Sequence, residues 1–176
     1  MSRKYLNERW CVRCGREGPT PYLRDNWELF GVASSQEPSK AVLDIGCGNG
    51  RNTKFMQAQG FTNTAALDMV GDYGHKVVLG QETLPLLDNS VDIILANYIF
   101  MFLDIQEREQ LVSELQRVAR PGCHIMVELY PAKDSEASTK ETMIALRDEL
   151  LVALNSGQQW AVVRKTQERF IGRLAV

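Results

Sequence analysis

The chain has 176 residues and a formal charge of −2, length enough for one domain to bury a sizeable core without disulfide or metal staples. Charges of both signs are interspersed, so composition offers no general argument for a nucleic-acid or membrane partner. No apolar run approaches the ~20 residues of a membrane span, and the start, MSRKYLNERW, lacks a signal-peptide core, so a soluble cytoplasmic protein without membrane contact is expected.

Residues 1 to 40 read as an N-terminal extension. Ser2 to Trp10 suits a helix, Gly15 to Tyr22 with its two prolines interrupts one, and Asp25-Asn26-Trp27-Glu28 resembles a capping box opening a short helix that ends near Gly31. Residues 1 to 24 hold six basic residues against Glu8 and Glu17, a local charge of +4. That charge suits a solvated helix face, and the functional alternative is a lid or substrate arm for an acidic partner. Tyr22, Trp27 and Phe30 favour a segment folded over the ligand side of the domain, because side chains of that apolar area are costly to leave exposed. Cys11-Val12-Arg13-Cys14 would supply half of a zinc knuckle, but no second pair accompanies it. No metal site is expected, and the four cysteines read as reduced thiols.

Ser34 to Ser39 is a polar linker into the first strand. Ala41, Val42 and Leu43 suit a strand buried on both faces, and Asp44 to Gly50 (DIGCGNG) then turns polar and glycine-rich. Glycines 46, 48 and 50 allow a tight bend and close approach of the backbone to a ligand. Arg51 to Gln59 follows as a short helix closed by Gly60. A dinucleotide-binding loop needs its third glycine at the position of Arg51, and Asp44 beside a pyrophosphate would be repelled but beside an ammonium attracted. The loop therefore suits a zwitterion better than a polyanion.

Thr64 to Met69 is a second strand, with Asp68 eighteen residues beyond Gly50. A carboxylate there suits the two hydroxyls of a ribose. Lys76 to Leu79 is expected as a third strand, and only about six residues before it replace the usual crossover helix. Asp88-Asn89-Ser90 turns into a buried strand over 91 to 96 with Asn97-Tyr98 at its exit. Asp104-Ile105-Gln106-Glu107 is a capping box for an amphipathic helix stopped by Arg120-Pro121-Gly122, and His124 to Tyr130 is the fifth strand. A last helix opens at Ser138-Thr139 and turns Met143, Leu146, Leu150 and Leu154 inward. Trp160 to Lys165 and Arg169 to Val176 form a terminal hairpin.

Asp44 to Gly50, the stretch Leu84-Pro85 with Asp88-Asn89-Ser90-Val91-Asp92, and Glu114 to Gly122 together resemble the class I S-adenosylmethionine (SAM) dependent methyltransferases, and in particular their type 11 small-molecule group. The resemblance covers residues 41 to 176. It implies an α/β three-layer sandwich: a mostly parallel seven-stranded sheet with helices on both faces and a C-terminal antiparallel hairpin, preceded by the 1 to 40 extension. It also implies SAM as cofactor, with Gly46, Cys47, Gly48 and Gly50 at the methionine moiety. Asp44 would help hold the amino group through water or backbone, and Asp68 would bind the ribose. Met69, Gln81, Glu82, Thr83 and Asn97 would complete the cofactor site, the stretch 81 to 83 bordering adenine. Cys47 suits packing better than nucleophilic attack, since no base stands beside it in sequence.

Should the acceptor have to lose a proton, Tyr98, Glu128, Tyr130 and His124 are the candidate bases. The function implied is methyl transfer to a small molecule or an exposed group. The alternatives are a nucleic-acid or protein methyltransferase using the basic N-terminal segment, and a SAM-binding regulatory protein without turnover.

Overall fold

A computed structural model describes residues 17–31, 40–69, 73–129 and 140–176. The Ser2 to Trp10 helix, the cysteine pair at 11 and 14, the 34 to 39 linker, Tyr130 and the Ser138-Thr139 cap all lie outside the described residues.

Seven strands form one sheet in the order β3-β2-β1-β4-β5-β7-β6: β1 Val42–Ile45, β2 Thr64–Asp68, β3 His75–Lys76, β4 Val91–Asn97, β5 Ala119–Glu128, β6 Trp160–Lys165 and β7 Arg169–Leu174. The first five run parallel, and β7 enters antiparallel between β5 and β6. Between them lie α2 Arg51–Ala58, α3 Ile105–Val118 and α4 Lys140–Asn155, with a single turn, α1 Pro21–Arg24, ahead of the sheet. The short parallel crossovers demand buried strands, and Val91 to Asn97 supplies one with six of its seven residues buried.

Strand alternation divides the core. Leu43, Ile45, Ile94, Ala96, Ile125 and Val127 face α3 and α4, while Val42, Ile93, Leu95, Met126 and Ile171 face α2 and the N-terminal segment. Tyr22, Leu23 and Phe30 are buried in that second layer. The described part of the extension thus covers the α2 face of β4, β5 and β7, where the connections supply no second helix.

Several local expectations change. Thr20-Pro21 opens α1, with Thr20 accepting from Leu23 N at 3.3 Å, because proline is preorganised for a first helical position. Residues 27 to 30 form one 3-10 turn whose N-cap, Asn26, makes no side-chain cap bond, so the capping box expected at Asp25 to Glu28 is absent. The third strand is His75–Lys76, not Lys76 to Leu79. Val77 and Leu79 leave the sheet edge and turn into the core, because Gly80, at φ +77, lets the chain press against the α3 backbone at Glu107. The fifth strand begins directly after α3, at Ala119. By contrast, Asp104 and Glu107 form the expected reciprocal cap (2.9 and 3.1 Å).

Candidate cofactor and acceptor site

The carboxyl ends of β1 and β2 are stitched together by the glycine loop. Gly46 N and Cys47 N both donate to Leu67 O (2.8 and 3.1 Å), and Gly48 N donates to Asp68 Oδ2 at 2.7 Å. The carboxylate expected at a ribose therefore also holds the loop expected at the methionine. Gly46 requires glycine twice over: its φ is +72, and an added Cβ would stand 3.2 Å from Ile99. Gly50, the residue before α2, lies under the Tyr73 ring, which an added Cβ would meet at 2.2 Å. Lys54 stands 4.9 Å from the centre of that ring.

The Asp44 side chain turns toward α2. It is 1% exposed, and Oδ2 accepts from Thr53 Oγ1 of α2 at 2.5 Å. Burial pushes its carboxyl up to about 6, against the lowering effect of the Thr53 bond. It ties the loop to the helix from beneath. Cys47 is also buried, its thiol donating to Tyr73 O at 3.3 Å, in a packing position. Met69 packs against the core below the end of β2. Residues 81 to 83 are exposed at the N-terminus of α3, where Gln81 Nε2 donates to Glu107 Oε1 (2.9 Å) and Glu82 Oε2 accepts from Val78 N (3.0 Å).

A second polar group gathers at the ends of β4 and β5. Glu128 is wholly buried, and its Oε1 accepts from both Thr20 Oγ1 and Asn97 Nδ2. Its Oε2 accepts from Tyr98 OH at 3.0 Å and lies 3.6 Å from Arg169 Nε. Thr20 N donates to Asn52 Oδ1 of α2 at 2.9 Å, linking this cluster to the helix that begins at the glycine loop. Tyr98 is held at φ +60, uncommon for a side chain of its size, by its N–H bond to Glu128 O (2.8 Å) and by its hydroxyl. Burial and the Glu128 carboxylate push that phenol up to about 12, so it remains a donor.

His124 does not join the group. It pairs with Ile93, four residues before Glu128 on β5 and about 13 Å away at strand rise. There it meets the Phe30 ring edge-on at 5.8 Å, and burial with Arg173 and Lys40 pushes its pKa down to about 4. Among the described residues no His, Cys, Asp and Glu side chains gather into a metal site.

Thr20, Asn52 and Arg169 belong to the strand-end cluster but were not expected there. The Thr-Pro pair signals a helical turn, yet nothing local connects Thr20 to Glu128, 108 positions away. A separate cavity of about 380 Å³ runs along the outer edge of β2, lined by Thr53, Gln57, Thr64, Tyr73 and His75 among others. It exists because β3 pairs only with Leu67 and Asp68, leaving the earlier part of β2 uncovered. It does not coincide with the strand ends.

Known proteins share this fold. The family described as a methyltransferase domain matches residues 43–127, from β1 to the end of β5. The match spans just under half of the chain. Phosphoethanolamine N-methyltransferase 1 of Triticum aestivum is 30% identical over 104 residues, covering 50% of this chain and 21% of that protein. Malonyl-[acyl-carrier protein] O-methyltransferase of Methylococcus capsulatus is 31% identical over 149 residues, 76% of this chain and 52% of the relative. The chain thus spans about a fifth of the first relative and about half of the second. A SAM-dependent methyltransferase from Aquifex aeolicus shares the fold, at a TM-score of 0.56 and 18% identity, over 86% of this chain and 87% of that one.

The cofactor of this methyltransferase family is SAM, and the residues present fit it. The loop offers backbone without side chains at Gly46 and Gly48, and Asp68 lies within hydrogen-bond distance of that loop. Asn97 Oδ1 is buried without a hydrogen-bond partner among the described residues, a ready acceptor for an ammonium at the end of β4.

Proposed function

We propose that the chain transfers a methyl group from SAM to a small-molecule acceptor bound at the carboxyl ends of β4 and β5. The observation that carries this reading is the 2.7 Å bond between Gly48 N and Asp68, which joins the loop for a zwitterion to a carboxylate for a ribose. In this reading Gly46, Cys47, Gly48 and Gly50 hold the methionine moiety by backbone, Asn97 accepts from its ammonium, and Asp68 accepts from the ribose. Met69 and residues 81 to 83 border the adenine. Asp44 supports the loop through Thr53 with its side chain and helps hold the ammonium through water or its backbone.

When bound, SAM supplies an activated methyl on a sulfonium whose departure leaves a neutral thioether. The protein's part is then chiefly alignment, for which effective molarities of ~10⁵ to 10⁸ M are attainable. Glu128 stands where an acceptor's proton would leave, but three donors and Arg169 already engage it. Releasing Thr20 removes one of the two donors on Oε1 and leaves Asn97 as the other. The N-terminal turn is therefore a closure over the acceptor end of the sheet, and Tyr98 positions Glu128 without serving as a base.

The test is product formation. Incubation with SAM and a panel of amine, hydroxyl and carbon-acid acceptors should release S-adenosylhomocysteine, with Asp68→Ala lowering the rate. S-adenosylhomocysteine binding without release of product from any acceptor would instead favour a regulatory protein.

A further inference from the structure

Beside Glu128, two buried donors go unused. The Tyr22 hydroxyl, in a side chain 6% exposed, and Nε of Arg169 have no hydrogen-bond partner among the described residues. They are neighbours, with the Arg169 guanidinium carbon 5.5 Å from the centre of the Tyr22 ring. Arg169 Nε lies 3.6 Å from Glu128 Oε2, close enough for charge attraction but too long for a hydrogen bond. A second guanidinium belongs to the same place: Arg164 Nη1 donates to Asn26 Oδ1 at 2.5 Å, and Asn26 Nδ2 donates to Tyr22 O at 2.7 Å.

Buried donors ordinarily have acceptors, and a pair without them at one spot describes a missing partner. The partner's chemistry follows from counting. Two donors, one O–H and one N–H, call for two acceptor lone pairs. Among the described residues, the charges that act on the Tyr22 hydroxyl are Arg164, Glu128 and Arg169, two positive and one negative. Burial keeps that hydroxyl protonated, hence a donor. A carboxylate supplies two oxygens and one negative charge. A phosphate dianion would reverse the local charge and leave oxygens without donors.

We propose that Tyr22 and Arg169 form a subsite that takes a carboxylate carried by the methyl acceptor. This rests on the methyltransferase reading, since the strand ends at Asn97 and Glu128 are the acceptor side of that site. One carboxylate oxygen accepts from Tyr22 OH and the other from Arg169 Nε, while Arg164 balances the charge. Glu128, itself neutralised by its donors and Arg169, keeps the guanidinium beside the tyrosine. Both donor atoms are buried, so the carboxylate reaches them when the N-terminal turn that carries Tyr22 moves off the Arg169 side chain, which is 34% exposed. The carboxylate is a handle that orients the acceptor, whichever of its atoms receives the methyl.

The test uses acetate as probe and acetamide as its uncharged match, titrated into protein saturated with S-adenosylhomocysteine, with the Arg169 Nε–H resonance as readout. Acetate should shift it saturably and acetamide should not. Tyr22→Phe and Arg169→Gln should each weaken acetate binding at least tenfold while changing the affinity for S-adenosylhomocysteine less than twofold. Tyr22→Phe should also leave the melting temperature equal or higher, because it deletes a hydroxyl without a partner. No saturable shift, equal responses to acetate and acetamide, or a melting temperature lowered in Tyr22→Phe would overturn the subsite. Failure of S-adenosylhomocysteine to bind in the first place would overturn the methyltransferase reading, a result separable from the acetate titration.

Discussion

Buried Asp44 and half-buried His124 push in opposite directions over the same pH range. The Asp44 carboxyl is raised from 3.8 to about 6 by burial, so the folded protein binds its proton more tightly than the unfolded chain does. Its contribution to stability is present below about pH 4 and is lost as pH rises to 6. His124 is lowered from 6.5 to about 4, so the unfolded chain binds that proton more tightly, and stability is lost as pH falls from 6.5 to 4. In the wild type the two slopes oppose. Asp44→Asn should therefore steepen the rise of melting temperature between pH 4 and 6, by an amount on the order of 2 to 3 kcal/mol across that interval. Parallel pH profiles for wild type and variant would remove the account of Asp44 as a buried, loop-supporting acid.

Asp68 serves the loop and, in the proposed function, the ribose. Asp68→Ala removes a charged acceptor worth about 1.5 to 3 kcal/mol from each bond it made. The expected outcome is S-adenosylhomocysteine affinity weakened by roughly ten- to a hundredfold, together with faster amide exchange at Gly48, whose N–H loses its 2.7 Å acceptor. Weakened binding with Gly48 exchange unchanged would separate the two roles assigned to this one carboxylate.

At the scale of elements, what was legible depended on range along the chain. The glycine loop, the Asp68 strand end, the Asp104 cap and the inward stripe of α4 each lie within one strand, turn or helix, where periodicity and capping chemistry act locally. The short third strand was misread because Val77 and Leu79 are apolar for a different reason: they fill the core beneath Gly80 and do not extend the sheet edge. The strand-end cluster was only half legible. Asn97, Tyr98 and Glu128 end strands with polar side chains, but Thr20 reaches Glu128 across 108 positions and Arg169 arrives on an antiparallel strand.

The α1 turn offers its own prediction. Thr20 caps Leu23, donates to Glu128 and anchors to Asn52. Thr20→Val loses a cap worth ~1 kcal/mol and leaves a buried carboxylate short of a donor worth about 1.5 kcal/mol or more. Urea unfolding should show a loss of about 2 kcal/mol or more, recovered in Thr20→Ser, and hydrogen exchange over residues 20–30 should rise. A neutral effect would mean that the turn does not fasten to the sheet through Glu128.

For the whole molecule, the expected architecture is the observed one: a seven-stranded sheet, helices on both faces and a β6–β7 hairpin. Tyr22, Leu23 and Phe30 pack on the domain as an extra layer on the α2 face, which completes that side of the core and reaches the end of β5 through Thr20 and Glu128. In the proposed function, stability and access to the site are thereby coupled through one short segment.

The central claim is that the loop from Asp44 to Gly50 and Asp68 make one site for SAM. Its most direct measurement is a melting curve with S-adenosylhomocysteine and, separately, with NAD. At a hundredfold excess over its dissociation constant, S-adenosylhomocysteine should stabilise the protein by about 2.7 kcal/mol, and Gly48→Val should abolish the shift while NAD produces none. Stabilisation by NAD, with none by S-adenosylhomocysteine, would contradict the account.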